Sequence, residues 1–179
     1  VMAGFIVGFD SDPEDIFERQ IEFIRESAIP LAMVGLLTAL PDTQLWRRLK
    51  KEGRLLRESA GNNMEGALNF IPRMDTARLV EGYQRILDTI YSPAEYYRRA
   101  LDCLSHLTQE KAPRHSTLLN DVRAFARIVL TLGVFDRARG DFWRYMKSAV
   151  TTHRAHFPHA VTLAAMGYHF RKLTEAFGD

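Results

Sequence analysis

Residues 2–9, Met2-Ala3-Gly4-Phe5-Ile6-Val7-Gly8-Phe9, form a short apolar run closed by Asp10-Ser11-Asp12-Pro13. A run of that length without polar alternation suits a strand buried on both faces, as in a parallel sheet. The next residues start a helix, with Asp12 as N-cap, Pro13 in the first helical position, and Glu14 and Asp15 facing the positive end of the helix dipole. Phe17, Ile21, Ile24 and Ala28 recur at helical spacing and give one apolar stripe, which Ile29-Pro30 ends. Leu31–Leu40 is a second strand-like run. Strand, helix and strand within about forty residues is the size of a βαβ unit with parallel strands.

Two parallel strands cannot stand alone, because each needs neighbours and covered faces. No later segment repeats the βαβ spacing, so more sheet is expected before residue 1. Val1–Phe9 is core-like from its first residue, whereas chain termini are usually polar and loose. The expectation is a piece of a longer parent.

Beyond Leu40 the pattern turns helical. Pro41-Asp42-Thr43 opens a helix with Asp42 or Thr43 as cap, Leu45, Trp46 and Leu49 inward, and Gly53 at its end. Residues 57–74 read as an ordered connector, with turn signals at Gly61-Asn62-Asn63 and Gly66, then an extended Ala67–Pro72. Helices are expected over Thr76–Ile90 and from Ser92-Pro93 to about Thr108, broken by Lys111-Ala112-Pro113. A further stripe runs through Leu118, Val122, Phe125, Val129 and Leu132. After a break at Gly133–Gly140, Asp141 should cap a helix through Val150. Phe157-Pro158 should precede a last helix with Leu163, Gly167, Phe170, Leu173 and Phe177 on one side. The expected fold is mostly α with a small β component. Residues 1–56 form the βαβ and its following helix, 57–74 the connector, and 75–179 a helical, bundle-like domain.

Several function classes fall away. One cysteine, Cys103, excludes a disulfide scaffold and reads as a buried small hydrophobe. No apolar run reaches the length of a membrane span and no signal peptide opens the chain, so a cytoplasmic setting is expected. A net charge of +2 is too balanced to point to nucleic acid. His153, His156 and His159 recur every third residue, but Phe157-Pro158 interrupts them and no ligating cysteine or carboxylate is near in sequence, so no metal is assigned. The basic run Arg47, Arg48, Lys50, Lys51, Arg54 and Arg57 reads as a solvated face, or as a docking face for another domain. Tyr91, Tyr96, Tyr97, Phe142, Trp143 and Tyr145 read as helical core, or as the lining of a pocket for a large apolar substrate.

Two segments carry candidate chemistry. Gly4-Phe5-Ile6-Val7-Gly8 fits G-x-I-x-G on a strand, where glycines permit close approach of a ligand and Ile6 offers a flat apolar wall. It is not a dinucleotide fingerprint, since the third glycine is missing and the helix opens with acids, hostile to phosphate. Thr38-Ala39-Leu40-Pro41-Asp42-Thr43 follows the second strand, and loops at the carboxyl ends of parallel strands are where α/β enzymes bind ligands.

Together these segments, the acidic helix between them and Gln44-Leu45-Trp46-Arg47-Arg48-Leu49-Lys50-Lys51-Glu52-Gly53 resemble the end of the catalytic barrel in radical S-adenosylmethionine enzymes, a partial TIM-like barrel. More narrowly, the chain is similar to those with an N-terminal cobalamin-binding domain. Leu68-Asn69-Phe70-Ile71-Pro72 and Ile90-Tyr91-Ser92-Pro93-Ala94-Glu95-Tyr96-Tyr97 resemble the helical domain of unassigned role that follows that barrel in one branch.

The resemblance implies that Ile6 packs on the adenine of S-adenosylmethionine, with Gly4 and Gly8 allowing approach and backbone over Leu37–Leu40 touching the same ring. The cofactor-facing set is therefore Gly4, Ile6, Gly8, Leu37, Thr38 and Leu40, and no residue is assigned a catalytic role. The family's acid three places beyond the second glycine is here Ser11, with Asp10 before it. The resemblance also implies S-adenosylmethionine, a 4Fe-4S cluster and cobalamin in the parent. Neither cluster nor cobalamin is expected to bind this chain by itself, because the C-x-x-x-C-x-x-C loop is absent. Expected partners are the upstream barrel and cobalamin-binding domains of the same parent. The rival reading is a helical interaction module that self-associates through exposed strand edges.

Overall fold

The computed structural model describes residues 2–56, 68–107 and 118–178. The expected turn at Gly61–Gly66 and the break at Lys111–Pro113 lie outside the described residues. The fold is mostly helical with a two-stranded parallel sheet at its N-terminal end, as the periodicity indicated. Strand β1 (Met2–Val7) pairs with β2 (Leu31–Leu36) through helix α1 (Ile16–Glu26), in a register that sets Gly4 beside Met33 and Ile6 beside Gly35. The second strand is shorter than the expected 31–40 run, because residues 37–40 leave the ladder as a loop after Leu37 N donates to Val7 O at 2.8 Å.

Helix α1 starts later than the sequence suggested. Asp12 does not cap it. Its carboxylate accepts from the backbone N–H groups of Gly8 and Phe9, at 2.7 and 2.9 Å, and closes the turn that leaves β1. A local side chain to backbone bond thus competed with the helix start and won. The stripe Phe17, Ile21 and Ile24 is buried, whereas Ala28 lies beyond the helix in a left-handed conformation.

Helix α2 (Gln44–Lys51) is capped by Thr43, whose Oγ1 accepts from Trp46 N at 3.2 Å, and Gly53 leaves it with a positive φ. Then come α3 (Thr76–Ile90) and α4 (Pro93–Ser105), at the places the caps indicated. Helix α5 (Leu118–Leu130) continues into a wider π-type turn over Thr131–Phe135, so the expected break near Gly133 is a helical bulge. Helix α6 (Arg139–Thr152) begins two residues before Asp141, which sits in the first turn instead of capping. A 3₁₀ turn over Arg154–His156 precedes α7 (Phe157–Gly178), where Pro158 falls in the first turn and does not separate two helices.

One core joins the back of the sheet to α1, α3, α4, α6 and α7. Small residues bring the helices close. A Cβ at Gly82 of α3 would overlap the Phe17 ring of α1, and one at Gly167 of α7 would overlap the Tyr96 ring of α4. Helix α7 turns Ala160, Ala164, Gly167 and Thr174 inward, rather than only the larger residues its sequence offered. Of the stripe on α5, Val122 and Phe125 are exposed, Val129 is partly buried against the core, and Leu132, in the following turn, is buried.

Arg99 is fully buried and donates to the carbonyls of Ile29 and Ile90, fastening the turn before β2 to the end of α3. Tyr91 OH donates to Ala32 O of β2 at 2.9 Å, and burial pushes its phenol up to about 12. The helical part thereby satisfies backbone groups of the sheet. A second, smaller core of Leu37, Ala39, Leu49 and Phe70 lies under the loop that follows β2.

Candidate functional site

Side chains alternate along a strand, so the two faces of the sheet differ. Val7, Ala32, Val34 and Leu36 are buried toward the helices, and Phe5 packs with them. Gly4, Ile6, Met33 and Gly35 share the other face, which is open: Ile6 is 46% and Met33 42% exposed. A Cβ placed on Gly4 would meet nothing within 4 Å, so there is free space before the strand. The result is an apolar shelf with its backbone accessible at Gly4.

At the carboxyl end of β1, Gly8 is buried with φ +106°. That left-handed value favours glycine, and a Cβ there would also press on Leu79 at 3.3 Å. Gly8 therefore shapes the exit of the strand, while Gly4 leaves room before it. Gln20 Nε2 donates to Ile6 O at 3.1 Å and steadies the strand beside the shelf.

The loop after β2 contributes Leu37, Thr38 and Leu40. Leu37 is buried in the smaller core and Leu40 is 44% exposed. Thr38 Oγ1 donates to Leu36 O at 3.3 Å. Of the six residues the sequence singled out, Gly4, Ile6 and Leu40 are exposed, Gly8 and Leu37 are buried, and Thr38 lies between. The side chain of Leu37 can therefore present no surface to a ligand. Its backbone, like that of Gly8, lies at the carboxyl end of the sheet.

Two features of the site escaped the sequence. Asn69, 2% exposed, reads the backbone of Ala39 in both directions: its Oδ1 accepts from Ala39 N at 2.9 Å and its Nδ2 donates to Ala39 O at 2.8 Å. Asp10, in the loop after β1, accepts from both terminal nitrogens of Arg54, at 2.7 and 2.9 Å, and from Arg48 at 2.9 Å, with Arg73 3.8 Å away. The Arg54 hydrogen bonds hold the Asp10 carboxyl below its ordinary range. The only local hint was the coincidence of an acid after β1 with a basic run. The chain segment between Asp10 and Arg54 gave no sign that they meet.

The basic run is thus not simply a solvated face. Arg48 and Arg54 turn to Asp10, and Lys50 lies 4.5 Å over the Trp46 ring. Arg57 lies outside the described residues. The aromatic group is core except for Trp143, which is 49% exposed. Tyr97 stacks on Tyr145 at 4.6 Å between ring centres, and Tyr96 OH donates to Leu163 O at 2.7 Å. The cavity beside Tyr91, Tyr96, Tyr97 and Tyr168 has a volume of about 10 Å³, room for no more than a water. That rules against its being the pocket for a large substrate. Among the described residues no group of three or more His, Cys, Asp or Glu side chains could hold a metal ion, and no helix is long and apolar enough to cross a membrane. Cys103 is half-buried, and burial raises its thiol.

A family model described as a domain of unknown function, DUF4070, matches residues 43–179. An uncharacterized methyltransferase of Synechocystis sp. is 36% identical over 177 residues, 97% of this chain and 33% of that protein. The hopanoid C-2 methylase of Rhodopseudomonas palustris is 28% identical over 152 residues, 81% of this chain and 28% of that protein. The chain spans about a third of the length of these curated relatives. No solved structure matches.

Proposed function

The chain belongs to the DUF4070 domain family, and from its motifs and from the names of its two relatives we propose that it is the C-terminal part of a radical S-adenosylmethionine methylase. Residues 1–56 would be the last strands and helix of the barrel, 57–74 a connector, and 75–179 a helical accessory domain. The observation that carries the reading is the open apolar shelf of Gly4 and Ile6, with the loop after β2 alongside it at the carboxyl end of two parallel strands. That is the side on which α/β sheets bind ligands. The names of the two relatives, a methyltransferase and a methylase, support methyl transfer as the reaction class.

The residues fit one part of the cofactor set. A flat, half-exposed Ile6 with free space at Gly4 suits the face of an adenine ring, and the loop backbone on either side of Ala39, whose own N–H and C=O are taken by Asn69, suits its edge. The iron–sulfur cluster does not fit this chain, whose sole cysteine is half-buried in a helix. Cluster ligands, and any cobalamin site, are assigned to upstream barrel and cobalamin-binding domains of a cytoplasmic parent. When bound there, the cluster would supply the electron that cleaves S-adenosylmethionine. The part of this chain is to bind adenine, orient it and exclude water.

The test is calorimetric titration of S-adenosylhomocysteine into the longest natural polypeptide that contains residues 1–179. The unaltered protein should bind. Ile6→Asp should weaken binding by about tenfold or more, since it sets a charge against an apolar ring. The melting temperature of each protein, measured alongside, separates lost contact from lost folding. Equal affinities for the two proteins would overturn the assignment of Ile6.

A second reading, self-association through strand edges, is favoured by one observation. The outer edges of β1 and β2 pair with no further strand among the described residues.

A further inference from the structure

We infer that Asn69 is a positioning residue for the ligand wall: by gripping the backbone of Ala39 it fixes the loop Leu37–Leu40 in its binding conformation before any ligand arrives. The inference rests on the reading of that loop as part of an adenine site, and names the residue that sets its shape.

A carboxamide that accepts from an N–H and donates to the C=O of the same residue stands in for a paired strand. Ala39 is fully buried and sits between the two loop residues proposed to face the ligand, Thr38 and Leu40. With its N–H and C=O both directed at Asn69, Ala39 has little rotational freedom, and its neighbours inherit that order. The grip is itself anchored. Leu56 N donates to Asn69 O at 2.9 Å, Ile71 N donates to Arg54 O at 2.8 Å, and Leu55 faces Phe70 in an isolated antiparallel bridge.

The same bridge reaches the other ligand-side loop. Arg54 Nε donates to Ile71 O at 2.8 Å while its terminal nitrogens hold Asp10, just beyond β1. Residues 54–56 and 69–71 are therefore a clasp. One arm, Asn69, holds the loop after β2, and the other, Arg54, holds the loop after β1. Neither side chain is placed against the ligand. Their effect is preorganisation, which lowers the ordering cost of binding.

The experiment uses the longest natural polypeptide containing residues 1–179, with S-adenosylhomocysteine as probe. Asn69→Asp keeps the acceptor but turns a carboxylate oxygen toward Ala39 O. Its affinity, read well below its melting temperature, should fall about tenfold or more. A purely structural Asn69 would lower the melting temperature and leave that affinity unchanged, which would overturn the inference. Hydrogen exchange on the unaltered protein is independent of any variant's folding. The amides of Leu37 and Ala39 should be protected without ligand, and free exchange of the Ala39 amide until the probe is added would also overturn it. The two readings fail separately. If the unaltered protein does not bind the probe, the adenine site itself is wrong. If it binds and responds to Ile6→Asp but not to Asn69→Asp, the grip alone is wrong.

Discussion

Asp10 shows how a single side chain can tie together parts of the chain that are remote in sequence. Its carboxyl is held below its ordinary value of 3.8, first by the Arg54 hydrogen bonds. A group whose folded pKa is depressed stabilises fully above its unfolded pKa, and that stability is lost as pH falls through the folded value. The melting temperature should therefore drop as the medium is acidified below about pH 4. Asp10→Asn should be less stable at neutral pH by about 1–3 kcal/mol and should lose less on acidification. Parallel pH profiles for the two proteins would mean that the pair contributes nothing. At this scale the sequence singled out Gly4, Ile6 and Gly8, because a glycine in or at the end of a strand is rare enough to ask for a reason. It could not show Asn69, since a buried carboxamide has no signature apart from the backbone it meets.

At the scale of elements, a chemical cue marked some helix starts and misplaced others, as Asp141 did for α6. Thr43, Asp75 and Ser92-Pro93 stand where α2, α3 and α4 begin. Asp12 offered the same cue and was taken by the backbone of Gly8 and Phe9. The packing of α1 on α3 turned on a residue with no side chain. Gly82→Ala in an open helix would stabilise by about 1 kcal/mol. Here the new methyl would overlap the Phe17 ring, so a loss of about 1–3 kcal/mol is expected. Phe17→Leu should recover part of that loss in the double variant. Thermal denaturation of the four proteins checks this, and additive effects would show that the two residues do not share the space.

For the whole molecule, the decisive feature is that one sheet face is covered by its own helices and the other is open. An apolar shelf with Ile6 and Met33 exposed would associate if left uncovered. Residues 1–179 produced alone should scatter light as a species larger than a monomer, and Met33→Lys should return it to one. If the association survives Met33→Lys, it runs through the strand edges, as in the rival reading. The sequence by itself determined the order of elements, the parallel βαβ, and the mostly helical remainder. Those follow from hydrophobic period and capping, which act over a few residues. Only the tertiary structure decided which face of the sheet the helices cover, that Arg48 and Arg54 serve Asp10, and that Asn69 grips Ala39. Such pairings join residues 30 to 44 positions apart. They are fixed by how the elements come together in space, which no local pattern encodes.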